Sequence, residues 1–132
     1  MPGSILMKTI TQCSSDEVNN YTTAQQDAID THSRGIAKLL VRNGVDGISN
    51  EEHEDNLVEI ADLRAERGIL RARRDAFYAD KSAINPPSKD QLKALKKNLN
   101  AVSRLSVKRK IASKVVALAT SSVTLFNQIQ PG

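Results

Sequence analysis

The chain is poor in the residue types that chemical sites and covalent frameworks require. Its 132 residues include one cysteine, two histidines, four aromatic side chains and no tryptophan. A single cysteine excludes an internal disulfide framework, and two histidines with one cysteine are too few for the usual structural zinc sites. The sequence also contains neither a glycine-rich phosphate loop nor a nucleophile elbow. We therefore expect a protein that is not an enzyme and has no catalytic residues, metal, cofactor or small-molecule substrate.

Long hydrophobic runs are missing as well. The first eleven residues lack the basic start and apolar run of a secretory signal. Residues 115–130 carry no charge, but serines and threonines interrupt them. This segment is shorter than the roughly 20 apolar residues that a membrane-spanning helix needs. We expect a protein that is cytoplasmic, or exported without a cleaved signal peptide.

What the sequence does contain is typical of one helical domain. Hydrophobic residues make up 39% of the chain and charged residues 26%, as in ordinary globular proteins. Apolar residues recur at helical spacing, and no strand-type alternation is visible. The predicted fold class is all-α: an elongated antiparallel bundle of three long or four helices. Residues 1–14 are predicted to be a flexible N-terminal segment, and residues 15–130 a single helical-bundle domain.

Three helix starts share one local motif, the capping box. A serine oxygen accepts a hydrogen bond from an early backbone N–H, and a glutamate or glutamine three residues later reaches back to the serine N–H. The motif occurs at Ser14-x-x-Glu17, Ser49-x-x-Glu52 and Ser88-x-x-Gln91. With the helical periodicity that follows each box, it predicts helices over about 16–42, about 50–82 and 88–128.

The third helical region carries two different apolar faces. From Leu92 to Leu105 the apolar residues share one face, but from Val107 onward the apolar face has turned to the opposite side. A straight helix would need a different packing partner for each half. We therefore predict a break near 104–108, which gives four helices.

Charge is distributed unevenly along the chain. Residues 1–62 hold eleven acidic and four basic side chains, whereas residues 63–132 hold fifteen basic and four acidic ones. In one interpretation, the acidic half folds against the basic half. In the other, a basic surface stays exposed and attracts phosphates, anionic lipid or an acidic partner. We favour the first.

Two patterns follow different sides of the second predicted helix. One, termed the arginine stripe, consists of Arg64, Arg67, Arg71 and Arg74. Its guanidiniums must pair with acidic residues of the first helix, such as Asp27 and Asp30, face solvent, or bind phosphate. We favour internal or solvated pairing. The other pattern, termed the small-residue seam, consists of Ala61, Ala65, Gly68, Ala72, Ala76, Ala79 and Ala83, together with Ile69. Small side chains allow close helix approach. We interpret the seam as packing inside the bundle, with a docking groove for another chain as the alternative.

The function that fits best is that of a non-catalytic helical interaction or assembly protein, which binds a protein partner or associates with itself through its apolar C-terminal helix. The alternative is a basic, nucleic-acid-associated protein that uses the arginine stripe and the face from Lys89 to Lys114. A membrane-acting helical protein is the third hypothesis. Besides the arginine stripe, the candidate partner-binding residues are Lys108, Arg109, Lys110, Lys114, Leu118, Leu125 and Phe126.

Overall fold

A computed structural model describes residues 6–131 of the chain. In this range the chain forms four α-helices: α1 (Ser15–Asn43), α2 (Asn50–Tyr78), α3 (Lys89–Ser103) and α4 (Ala112–Ile129). A 3-10 turn, Ile10–Gln12, precedes α1. The described residues contain no strand, although Lys8 and Ile84 form an isolated β-bridge. The helices run alternately up and down, which confirms the predicted all-α bundle in its four-helix form.

The predicted serines begin the first three helices, but one capping box is incomplete. At Ser14 and Ser88 both hydrogen bonds of the box are present. At Ser49 only one forms: the backbone N–H of Glu52 donates to the serine oxygen at 3.0 Å. The carboxylate of Glu52 turns instead to Arg42, which donates to it from two nitrogens. A tertiary ion pair has thus replaced half of the local cap.

One helix boundary agrees with the sequence prediction, and another differs from it. α3 ends at Ser103 and α4 begins at Ala112, so the predicted break near 104–108 is confirmed and extends to residue 111. α2 ends at Tyr78, earlier than the predicted 82. Asp80 has a φ of 60°, in the left-handed region that stops a helix. Glycine is the usual residue there, and its absence made the stop hard to see in the sequence.

The packing of the helices leaves one side of the bundle open. α1 packs against all three other helices, whereas α2 packs closely only on α1 and lightly on α4. α2 and α3 are antiparallel but do not form a close pair. The segment 79–88 joins them across the end of the bundle, where the N–H of Asn85 donates to the carbonyl of Ile129 at 2.7 Å. A short connection thus does not make α2 and α3 packing neighbours.

Two apolar clusters form the core. The cluster near the start of α1 contains Tyr21, Ala24, Ala28, Ile29, Leu70, Phe77, Ile84, Leu95, Phe126 and Ile129. The cluster near the end of α1 contains Ile36, Leu39, Ile60, Leu63, Val102, Ile111, Val115 and Ala119. Most of these side chains are aliphatic, as the scarcity of aromatics requires.

A polar layer lies between the two clusters. Each helix contributes one residue to it, placed in sequence between members of the two clusters: His32, Glu66, Asn98 and Ser122. His32 Nε2 lies 3.3 Å from Glu66 Oε1, and Asn98 Nδ2 donates to Ser122 Oγ at 3.1 Å. His32 and Ser122 are fully buried and need these partners, so the paired contacts disfavour sliding of one helix along another.

Residues 8–13, within the segment predicted to be flexible, are held against the bundle. The backbone of Lys8 exchanges two hydrogen bonds of 2.8 Å with Ile84. The Lys8 ammonium lies 2.9 Å from the carboxylate of Glu17. Ile10 and Cys13 pack against the core. The first five residues of that segment lie outside the described range.

Candidate interaction surfaces

The small-residue seam of α2 faces solvent. Ala61, Ala65, Gly68 and Ala72 are exposed. The buried residues of α2 lie on another side of the helix: Glu52, Asn56, Ile60, Leu63, Leu70 and Phe77. The prediction that the seam packs inside the bundle is therefore wrong. The side of α2 that carries larger apolar side chains packs in the core, because these side chains bury more area per residue than alanine or glycine.

A groove lies between α2 and α4, and we term it the α2–α4 groove. Its central part has a volume of about 370 Å³ and includes Leu63, Ile69, Val116 and Ala119 among its lining residues. Toward the start of both helices the groove continues past Val58 and Ala112. Toward their ends it continues past Arg73 and Val123. The light packing of α2 on α4 leaves this depression open.

Two large apolar side chains of α2 stand exposed along the α2–α4 groove. Val58 is 59% exposed and Ile69 is 60% exposed. Eleven residues separate them, which corresponds to about 16 Å, or three helical turns. Val116 and Val123 of α4 border the same groove. We term these four side chains the apolar strip of the groove.

A row of carboxylates, termed the acidic row, borders the α2–α4 groove on the α2 side. It consists of Asp55, Glu59, Asp62 and Glu66. The spacings of four, three and four residues bring like charges together, which destabilises a helix by a few tenths of a kcal/mol per pair. Within residues 6–131, no basic nitrogen lies within 4.0 Å of Asp55, Glu59 or Asp62, while Glu66 contacts His32. The row's spacing is visible in the sequence, but its position beside α4 is not.

The arginine stripe lies on the flank of α2 that faces α1. Arg67 Nη1 donates to Ser33 Oγ of α1 at 3.1 Å. Burial, together with the positive charges of Arg71 and Arg64, lowers the pKa of the Arg67 guanidinium. Arg64 and Arg71 are exposed. The positive charges of Arg64, Arg67 and Arg71 therefore repel one another, and no carboxylate of the described residues lies within 4.0 Å of these three guanidiniums.

The acidic residues of α1 do not pair with the arginine stripe. Arg74 pairs with its exposed sequence neighbour Asp75 at 3.2 Å. Three of the four α1 acids have other partners: Glu17 binds Lys8 (2.9 Å), Asp27 binds Lys96 (3.0 Å) and Asp30 accepts from Gln26 (2.8 Å). The Asp27–Lys96 pair is the only ion pair in the described chain that joins an acid of the first half to a base of the second. The favoured pairing of acidic and basic halves is thus limited to this contact, and the stripe is solvated.

A second basic surface lies where α3 connects to α4. Two side chains of α1 fix this connection, because Lys38 donates to the carbonyl of Leu105 at 2.8 Å and Arg42 to that of Val107 at 3.3 Å. The cations predicted to bind a partner project from it into solvent: Lys108, Arg109, Lys110 and, at the start of α4, Lys114.

The apolar arc of α4 is divided between the core and the α2–α4 groove. Phe126 is 0% exposed, and the guanidinium of Arg73 lies 5.0 Å from its ring centre. The prediction that Phe126 contacts a partner is therefore wrong, because its ring is part of the protein's own core. Leu118 and Leu125 are partly buried against the two clusters. The larger apolar α4 residues that line the groove are Val116 and Val123, which were not among the predicted partner-binding residues.

The described residues contain no cluster of three or more histidine, cysteine, aspartate or glutamate side chains suited to a metal ion. No helix in that range is both long and apolar enough to cross a membrane. Cys13 is half-buried, and burial, with the nearby charge of Glu17, raises the pKa of its thiol. Searches against protein-family models, curated proteins and solved structures found no match for the chain.

Proposed function

We propose that the protein is a non-catalytic helical interaction protein whose docking surface is the α2–α4 groove. The observation that carries this proposal is the exposure of Ile69 beside Val116 in a depression that α2 and α4 leave open. Fully burying a side chain of this size is worth about 1.5–3 kcal/mol relative to leaving it exposed. A partner that covers the groove would gain a share of this energy.

The apolar residues of α4 are divided between the core and the α2–α4 groove, and this division bears on self-association. The buried residues of α4 include Val115, Ala119 and Phe126, and these already pack within one chain. A second copy that bound through α4 without unfolding the bundle would therefore meet Val116 and Val123 in the α2–α4 groove. Self-assembly and binding of another protein thus compete for one surface.

Site-specific photo-crosslinking tests the proposed docking surface. A photoreactive amino acid replaces Val58, Ile69 or, as the control, Leu40 of α1, which is 48% exposed and does not line the groove. In cells that produce the protein naturally, we expect adducts from positions 58 and 69 and far fewer from position 40. Equal labelling from all three positions, or none, would contradict the proposal.

Sedimentation velocity separates self-assembly from binding of another protein. If a second copy occupies the α2–α4 groove, the sedimenting mass of the natural chain rises with concentration, whereas the Ile69→Ser variant stays monomeric. If another protein occupies it, the isolated chain stays monomeric at every concentration.

A second candidate function is association with nucleic acid through the arginine stripe. It is favoured by the exposure of Arg64 and Arg71 and by the absence of a carboxylate within 4.0 Å of either residue among the described residues. Binding through guanidinium–phosphate contacts weakens steeply with salt. Retention on a duplex DNA column at low salt that falls as salt rises would support this function. No retention at low salt would eliminate it.

A further inference from the structure

We infer that the occupant of the α2–α4 groove is a cationic amphipathic helix, at least three turns long, from a different protein. This inference rests on the proposed docking function and adds the chemistry of the partner. It follows from three features of the groove: the charge of its rim, the apolar spacing along its length, and the absence of a matching surface on this chain.

The rim of the groove requires positive charge. Asp55, Glu59 and Asp62 have no basic partner among the described residues, and their spacing sets like charges side by side. Lysines or arginines of a bound helix would neutralise this row and relieve its repulsion. Arg73 lies at the other end of the groove and is positively charged, so cations are attracted only to the part beside the acidic row.

The apolar contacts specify a helix. Val58 and Ile69 lie about 16 Å apart along α2, so a partner must present apolar side chains over three helical turns. Such a partner shows apolar residues at i, i+3 or i+4, i+7 and i+11. Its basic residues then lie along the edge that faces the acidic row. An extended chain covers about 16 Å in about five residues, but its successive side chains point to opposite faces. It therefore does not set apolar side chains into the groove with basic ones along the adjacent edge.

A second copy of this chain does not offer that combination. The exposed large apolar residues of the described chain are Leu6, Met7, Leu40, Val41, Leu57, Val58, Ile69 and Tyr78. None of them lies on the cationic faces of α3 or of the α3–α4 connection, whose exposed residues include Lys93, Lys96 and Lys108. A copy that brought these lysines to the acidic row would leave the apolar strip uncovered. Beside the arginine stripe, the exposed large apolar residues are Leu57, seven residues before Arg64, and Tyr78, seven residues after Arg71. They lie about 31 Å apart along α2 and do not match the spacing of about 16 Å between Val58 and Ile69. The occupant is therefore another protein.

Three synthetic helical peptides of about 18 residues, or five turns, test the inference. All carry the same apolar face, and the flanking positions are lysine in the first, glutamine in the second and glutamate in the third. Fluorescence anisotropy measures their binding to the full chain at low and high salt. We expect the lysine peptide to bind about tenfold more tightly than the glutamine peptide, a ratio that three surface charge pairs supply. The glutamate peptide should bind most weakly, and high salt should reduce the differences.

Three variants of the protein assign the binding to this groove. Glu59→Gln combined with Asp62→Asn should reduce the preference for lysine from about tenfold to about twofold, the share of the one remaining pair at Asp55, but leave the glutamine peptide bound. Glu66 is left unchanged in this variant because it contacts His32 in the polar layer. Ile69→Ser should weaken all three peptides, and Leu40→Ser, the matched control outside the groove, should weaken none. A circular dichroism spectrum of each variant verifies that the fold is intact.

The outcomes separate this inference from the proposed function. If the glutamine peptide binds as tightly as the lysine peptide, the docking groove stands and the cationic partner is overturned. If no peptide binds at low salt, the cationic helical partner is overturned, and photo-crosslinking from positions 58 and 69 decides whether the docking groove stands. If the isolated chain forms dimers that Ile69→Ser dissociates, the assignment of the groove to a different protein is overturned.

Discussion

Arg42 and Glu52 form a two-pronged ion pair that joins the end of α1 to the start of α2. The two nitrogen–oxygen distances are 2.7 and 2.9 Å, and the side chains are only 10% and 8% exposed. A further guanidinium nitrogen donates to the carbonyl of Val107 in the α3–α4 connection. One arginine thus joins three segments at this end of the bundle, in the planar bidentate geometry that guanidinium and carboxylate favour.

This pair makes stability depend on pH in a defined direction. Hydrogen bonds from Arg42 lower the pKa of the Glu52 carboxyl, against the opposing effect of burial. A lowered pKa contributes stability that is complete above the ordinary glutamate value of about 4.3 and is lost as pH falls through the lower folded value. Glu52→Gln should therefore reduce stability at neutral pH and flatten its decline in acid, as measured by urea unfolding over a pH series.

The exposed neighbour Glu54 provides the control for this prediction, because Glu54→Gln should leave both quantities nearly unchanged. Some acid dependence will persist in Glu52→Gln. Hydrogen bonds from the Ser14 backbone and from Lys8 also lower the pKa of Glu17, and its contribution declines in the same pH range. Parallel acid curves for Glu52→Gln and the natural chain would refute the role assigned to the pair.

Gly35 and Gly68 should respond oppositely to alanine. A Cβ at position 35 would lie 2.6 Å from a methyl carbon of Val115, whereas at position 68 no other described atom lies within 4 Å, beyond those of the helix's own nearby backbone and chain neighbours. Gly35→Ala should lower the unfolding free energy by about 1–3 kcal/mol through overpacking. Gly68→Ala should raise it by about 0.5–1 kcal/mol through better helix propensity. Urea denaturation measures both.

Val115→Ala provides the check on this explanation. If the clash with the valine methyl causes the loss at position 35, Gly35→Ala should cost little in the Val115→Ala background. An unchanged cost there would show that the close approach of α1 to α4 is not the reason for the glycine.

A hydrogen-bonded group around Gln130 should stabilise the end of the bundle opposite Arg42. The Tyr21 hydroxyl donates to Gln130 Oε1 at 2.6 Å, and Gln130 Nε2 donates to the carbonyl of Arg73 at 2.8 Å. Tyr21→Phe leaves a buried acceptor unpaired and should cost about 1–3 kcal/mol in unfolding free energy. The control, Tyr78→Phe, removes only a solvent-exposed contact of the hydroxyl with Thr22, which water replaces, and should change it by less than about 0.5 kcal/mol. Equal effects of the two substitutions would argue against a special role for this group.

Reversing the exposed members of the arginine stripe should affect polyanion binding more than stability. In the double variant Arg64→Glu and Arg71→Glu, no internal ion pair is broken, so stability should change by only about 0.5 kcal/mol per site. If the stripe binds duplex DNA, the slope of log affinity against log salt should fall by about two, one for each lost phosphate contact.

The variant Arg109→Glu with Lys110→Glu, which alters the basic α3–α4 connection, shows which surface carries any DNA binding. Loss of salt-dependent retention in this variant alone would transfer the binding to the connection. A loss of several kcal/mol of stability in the stripe variant would show that its arginines pair internally after all.

Much of the secondary structure could be derived from the sequence because it depends on nearby residues. Ser14, Ser49 and Ser88 sit at helix starts because a side-chain oxygen satisfies free N–H groups within the same turn. The change of apolar face after Leu105 predicted the break between α3 and α4 for a similar reason. The stop at Asp80 was missed because aspartate adopts left-handed backbone geometry without the clear signal that glycine provides.

The sequence by itself determined four amphipathic helices and a core built from aliphatic side chains, because helical periodicity is a local property. Only the tertiary structure decided which side of α2 became buried. The small-residue seam, the arginine stripe and the acidic row all recur at helical spacing, so periodicity cannot rank them. Contact with α1 through Leu63, Leu70 and Phe77 set the rotation of α2. That rotation left the seam in solvent and placed the acidic row along the α2–α4 groove. The periodicity of one helix could not reveal this outcome, because packing between distant segments depends on the joint burial of several helices.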